Sequence, residues 1–194
     1  MSEEIASIHA VLVDQLRDLY SAETLIAKAL AKMAKAAKSP DLKDGFKHHL
    51  TQTKVHAERL KGICASLKEK PTGKTCQATV GLIKEGEEAM EEDALPEMKD
   101  LMLIAAARRT EHYEMSGYLS ASSLAKALGL KEAAKTLAAT LAEEKTMDAT
   151  LSKLTTTALA KAFTAEKMVK PAKNESVVEE VGKAVKKVVK TITG

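Results

Sequence analysis

The sequence predicts an all-α protein built as a bundle of long helices, on three observations. Alanine, lysine, leucine and glutamate dominate, and all are good helix formers. Four prolines interrupt 194 residues, so long segments can run unbroken. Apolar residues recur at alternating three- and four-residue steps, and the β-branched residues form no alternating run. The length suits one domain with a real core.

The prolines at 40, 71, 96 and 171, with Gly129, mark where elements end. A first helix is expected from Ser2, as its cap, to about residue 38. Its stripe reads Ile5, Ile8, Leu12, Leu16, Leu19, Glu23, Ile26, Leu30 and Met33, so an acid interrupts the seam at its middle. Tyr20 lies about one turn before that acid. A second helix is expected over 42–67, with the seam Phe46, His49, Thr53, His56, Leu60, Ile63 and Leu67. Gln52 shares the face of His49 and His56.

Residues 69–96 form a long connection with a shorter, acidic helix over 78–92, read as a solvated face. The third long helix follows Pro96 and ends near Leu128. Its stripe runs Ile104, Ala107, Glu111, Glu114, Tyr118 and Ala121, and Gly117 permits close approach of a neighbour. The fourth, over 130–162, reads Leu137, Leu141, Glu144, Asp148, Leu151 and Leu154.

Residues 1–165 are thus one bundle domain, and 166–194 a separate basic tail. In the tail Val177, Val181, Val185, Val188 and Ile192 recur at helical spacing, with Lys183, Lys186, Lys187 and Lys190 on much of the other side. That pattern fits an amphipathic helix docking on a partner or an anionic surface; a soluble tail is the plain alternative. The tail holds seven lysines and four glutamates, which is the whole net charge of +3. Taking those from 30 basic and 27 acidic residues leaves the bundle 23 of each, with no basic excess for nucleic acid. No apolar run is long enough to cross a bilayer, and Met1-Ser2-Glu3-Glu4 lacks a signal-peptide layout, so a cytoplasmic location is expected. Cys64 and Cys76 have neither CxxC spacing nor framework density and are expected to be reduced.

Burying an ionised carboxylate is costly unless something pairs with it. Yet all four long helices place polar side chains in mid-stripe: Glu23; Gln52 and His56; Glu111 and Glu114; Glu144 and Asp148. The spacings repeat, 29 and 33 residues from Glu23 to Gln52 and His56, then 30 and 34 from Glu114 to Glu144 and Asp148. The chain therefore reads as two antiparallel hairpins that bring these groups to one level. The long connection joins them as in a ferritin-like bundle.

Carboxylates are hard ligands that can bridge two cations, and an imidazole adds a borderline donor; together they suit iron or manganese. The expected ligands are Glu23, Gln52, His56, Glu111, Glu114, Glu144 and Asp148. Di-iron bundles usually carry Glu-x-x-His on two helices, whereas here Gln52 replaces an acid and Asp148 a histidine, so a mononuclear or asymmetric site is the alternative. His49, His112 and Glu143, like Glu111, are alternate ligands or supports behind them. Tyr20, Tyr113 and Tyr118 flank the cluster, where they pack, bond carboxylates or carry one-electron chemistry. Glu114, Tyr20 and Tyr118 are the expected catalytic residues.

Four blocks carry a family resemblance: Asp18-Leu19-Tyr20-Ser21-Ala22-Glu23, the run from His49 through Gln52 and His56 to Leu60, Glu111-His112-Tyr113-Glu114, and Glu143-Glu144-Lys145 with Asp148. Together they resemble the YciF-like bacterial stress proteins of the ferritin-like superfamily, over roughly residues 3–160. The resemblance implies a rubrerythrin-like bundle, often dimeric, induced under osmotic, oxidative or envelope stress, with a di-iron site. Gln52 departs from the acid that members often carry nearby.

Three functions follow as expectations. The first is a di-metal carboxylate protein, with iron or manganese, reacting with peroxide or oxygen. The second is a non-enzymatic metal-binding bundle. The third is a structural stress protein whose polar layer sets helix register. Because Gln52 gives up an anionic ligand, an open coordination position is expected there, which favours peroxide chemistry over storage. A homodimer is expected from the Ala105-Ala106-Ala107 run and the alanines of the first helix.

Overall fold

The computed structural model describes residues 6–169. Among them lie five helices: α1 (Ile8–Ala36), α2 (Pro40–Ser66), α3 (Gln77–Glu91), α4 (Pro96–Ala127) and α5 (Lys131–Val169). Ser2 and the tail from residue 170 onward lie outside the described residues, so the tail helix, its docking and the Pro171 linker do too. Within the described residues α1 begins at Ser7, whose side chain accepts a 3.0 Å hydrogen bond from the Ala10 N–H. At the other end α5 continues past 165 to Val169. Thr164-Ala165-Glu166-Lys167 contains neither glycine nor proline to stop it.

The two hairpins close by ordinary signals. Ser39 caps α2 through a 3.3 Å bond from the Leu42 N–H, with Pro40 in the first turn. Gly129, at φ +70°, ends the α4 segment, and the Leu130 N–H turns back to the Ala125 carbonyl at 2.9 Å. In the bundle α1 lies against α2 and α4, and α5 against α4 and α2. Asp100, near the start of α4, accepts the Lys38 and Ser39 N–H groups at 2.7 and 2.8 Å. The start of α4 therefore sits where α1 ends, at the far end of the bundle from the close of α2. The connection must travel the length of the bundle, and α3, packed on α1 and α4, is that crossover. The buried ammonium of Lys99 closes the end of α3 by donating to the carbonyls of Ala89, Met90 and Glu92. A Cβ added at Gly117 would come within 2.8 Å of Leu19 Cδ2, so that glycine lets α1 and α4 approach.

The core divides into two apolar blocks. One contains Ile26, Leu30, Phe46, Leu103 and Leu151; the other contains Leu12, Leu16, Leu60, Tyr118 and Leu137. Each large buried aliphatic side chain contributes about 1.5–3 kcal/mol. The residues between the blocks on every long helix are polar. No helix among the described residues is long and apolar enough to cross a membrane. Cys64 and Cys76 are buried free thiols.

Candidate metal centre

The polar layer consists of Glu23 from α1, His49, Thr53 and His56 from α2, Glu111 and Glu114 from α4, and Glu144 from α5, all buried. Each stands on the seam of its helix, so the register that buries the leucines also turns these groups inward. His49 and His56 are seven residues apart, two turns along one face, about 10 Å of helix. Glu144 lies between them. Its Oε1 is 2.8 Å from His56 Nδ1, and its Oε2 is 3.7 Å from His49 Nε2. His49 Nε2 is also 3.1 Å from Glu111 Oε1, and His56 Nδ1 is 3.4 Å from Glu23 Oε1.

Two ligand sets result, one of His49, Glu111, Glu114 and Glu144, the other of Glu23, His56 and Glu144. In each, one ligand atom per residue lies within 4.8 Å of the others, and Glu144 belongs to both. The opposite end of His56 is fixed. Its Nε2 lies 2.6 Å from Glu143 Oε2, and Arg59 grips Glu143 with bonds of 2.7 and 3.0 Å. With Nε2–H donated to the Glu143 carboxylate, Nδ1 is the nitrogen that offers its lone pair, between Glu23 and Glu144, once a cation displaces its proton. Tyr118 donates its hydroxyl to Glu23 Oε1.

Burial sets the electrostatics. It raises the Glu111 carboxyl to about 7, against the pull of His49. It holds Glu114 well above the carboxylate range, helped by Glu23, Glu144 and Glu111. Glu23 is raised for the same first reason. Burial alone would lower His56, but Glu144 and Glu23 outweigh it and push the imidazole up to about 10. Glu143 is lowered by Arg59.

The residues fit a cation. Every buried side-chain nitrogen or oxygen left without a hydrogen bond, among the described residues, belongs to this layer. They include both oxygens of Glu114 and of Glu144, Nδ1 of His56 and both ring nitrogens of His49. The contacts of His56 Nδ1 with Glu144 and of His49 Nε2 with Glu111 are short enough for a hydrogen bond but off its line. Leaving such a group unsatisfied costs about 1–3 kcal/mol each. A carboxylate-and-imidazole set relieves that cost by ligating a hard or borderline cation.

The structure thus brings Glu23, His56, Glu111, Glu114 and Glu144 together, with Tyr118 against Glu23. It does not bring Asp148, Gln52 or Tyr20 into the two ligand sets. Asp148 is bound by Arg108, with Nε 2.7 Å from Oδ1, and His112 Nε2 lies 3.4 Å from the same oxygen. After Glu144, α5 buries Met147 and Leu151, and Asp148 lies beside that line, half-buried, where Arg108 reaches it. Gln52 is half-buried and makes no hydrogen bond to the cluster. Tyr20 is half-buried too, under the Lys61 ammonium at 5.9 Å from its ring. Arg17, two turns before Glu23 on α1, pairs with Glu69 at 3.0 Å. His49 is a full member that the hairpin-repeat argument passed over, though its seam position signalled it. Glu143, expected as an alternate ligand or a support, meets His56 from behind the cluster, while its partner Arg59 had no comparable signal.

An antiparallel four-helix bundle with a long crossover helix and a buried layer of acids and imidazoles defines a ferritin-like protein. The chain belongs to the family described as domain of unknown function DUF892, which matches residues 7–165. It is 40% identical over 149 residues to protein YciF of Escherichia coli K12, covering 76% of this chain and 90% of that protein. The crystal structure of the E. coli stress protein YciF superposes with a TM-score of 0.79, at 38% identity, over 81% of this chain and 99% of that one. YcfI from Rhodopseudomonas palustris gives 0.75 at 37% identity, over 78% and 97%. A ferritin-like diiron-carboxylate protein from Bacillus anthracis shares the fold, with a TM-score of 0.62 at 17% identity, over 80% and 99%.

Proposed function

We propose that this protein is a di-metal carboxylate protein that binds iron or manganese within the polar layer and reacts there with peroxide or oxygen, as a protective function under stress. The observation that supports it is the convergence of all the unpartnered buried atoms on two ligand sets that share Glu144. Glu23, His56 and Glu144 would hold one cation, and His49, Glu111, Glu114 and Glu144 the other. Bound iron or manganese supplies reversible one-electron redox chemistry that no side chain of this layer supplies alone.

The remaining work falls to the chain. Arg59 and Glu143 hold the His56 ring in one tautomer. The Tyr118 hydroxyl orients Glu23. Glu114, whose oxygens lack partners, is pushed by burial toward its protonated form, so a cation that takes it as a ligand competes with that proton. The proposal extends to a homodimer, supported by the exposed Ile8, Val11 and Leu119.

Hydrogen peroxide added to iron-loaded protein tests the reactive half of the reading. Repeated consumption with a reductant present, lost in Glu114→Ala, is the expected result. Consumption that stops after one equivalent per site, or a fully active variant, leaves metal binding without turnover.

A further inference from the structure

Outside the metal centre, a cavity is lined in part by a member of the polar layer, Glu111. It is a cleft of about 20 Å³ between α1, α3 and α4. Half-buried Ile83 and Met90 of α3 line it together with the buried Leu30, Met33 and Ala107. The buried Glu111 lines it as well. That volume admits one small guest.

Two features say what it would admit. The first is the wall. Apart from Glu111, the polar side chain in the lining is Thr110, whose hydroxyl is committed to the Ala106 carbonyl at 3.4 Å. A guest that needs hydrogen bonds would lose them along this path. The second is Glu111 itself. Its Oε2 is buried and has no hydrogen-bond partner, and Glu111 is a member of the His49 ligand set. The lining therefore combines half-buried side chains of α3 with a member of the polar layer.

We infer that this cleft is the route by which a small apolar oxidant, dioxygen, reaches the metal centre beside Glu111, in preference to hydrogen peroxide. The inference rests on the metal-centre reading and narrows its substrate class. Dioxygen has no hydrogen bonds to lose in the apolar throat, whereas peroxide must shed those it makes with water. The half-buried face of α3 sets the width of the mouth, which gives the crossover helix a part in access as well as in connectivity.

Xenon pressurisation of crystals, together with stopped-flow oxidation of iron(II)-loaded protein, tests the inference. Two iron(II) ions give up one electron each, which with two protons from solvent reduce dioxygen to hydrogen peroxide, or hydrogen peroxide to two waters. Two variants narrow the cleft. Gly86→Leu does so from α3, where a Cβ meets Ala106 Cβ at an ordinary 3.9 Å. Ile83→Phe does so at a half-buried position of the lining. Iron content, measured on the same samples, reports separately on the metal-centre reading. Expected is xenon density beside Ala107 and Glu111 in the wild type and none in a variant. Oxidation by dioxygen should slow at least tenfold in that variant, with unchanged iron content, and oxidation by peroxide should slow much less. No xenon in the wild-type cleft, dioxygen oxidation at the wild-type rate in a folded variant, or equal slowing with both oxidants overturns it. Protein that takes up no iron but does bind xenon overturns the metal-centre reading and, with it, the oxidant's destination.

Discussion

His56 and Glu143 meet at 2.6 Å on the side of the imidazole that faces away from the cluster. Glu143 is exposed enough to be gripped by Arg59, and His56 is fully buried. The pair fixes which ring nitrogen is offered to Glu23 and Glu144. Glu143→Ala is therefore expected to weaken iron or manganese binding by about 10–100-fold, the usual loss when a ligand's support is removed. Competition against a calibrated chelator measures it, and circular dichroism should show unchanged helicity. Wild-type affinity in the variant would show that Glu143 does not orient His56.

Asp148 gives the opposite expectation. Arg108 draws its carboxyl below the usual range, and the pair stands apart from both ligand sets. Asp148→Ala should keep full metal binding and lose about 0–1 kcal/mol of stability, as for other partly exposed pairs. Loss of metal from this variant would return Asp148 to the ligand list.

Protons and cations compete for the layer. Glu111, Glu114, Glu23 and His56 all bind protons more tightly folded than unfolded, Glu111 near 7 and His56 near 10. Their contribution to the metal-free protein is fully present below the unfolded values and is lost as pH rises through the folded ones. Glu143 and Asp148 are shifted the other way, so their contribution disappears only in acid, below this window. The Tm of metal-free protein should fall from pH 6 to pH 8, by roughly 2–4 °C for each 1 kcal/mol lost. Metal-loaded protein should show a widening Tm advantage over the same range, because the cation must displace those protons. Calorimetry on both forms checks this; a metal-free Tm that climbs with pH contradicts it.

Much of this was legible in the sequence. The five helices, the long crossover and the inward acids Glu23, Glu114 and Glu144 follow from seam periodicity and from Pro40, Pro96 and Gly129. The spacing repeat between hairpins and the α5 stripe both place Asp148 inward, whereas α5 buries Met147 and Leu151 after Glu144 and leaves Asp148 to Arg108. On α2 the seven-residue step from His49 to His56 was the better guide than the four-residue step from Gln52. The Glu143–Arg59 clamp and the cleft at Glu111 depend on how helices distant in sequence face each other, which one helix's pattern does not contain.

Oligomeric state follows from what the bundle leaves uncovered. Ile8 is 54% exposed and Leu119 59%, on helices whose inner faces are already packed. Sedimentation equilibrium at micromolar concentration is expected to give twice the chain mass, and Leu119→Lys is expected to shift it toward the monomer. A monomeric wild type would remove the dimer.

The central claim is that Glu144 serves two cation positions at once. Anaerobic titration of metal-free protein with iron(II), with bound iron counted per chain, tests it most directly. Two irons per chain are expected for the wild type and none for a folded Glu144→Ala. A wild type that binds no iron, or a Glu144→Ala variant that still binds two, would contradict the claim.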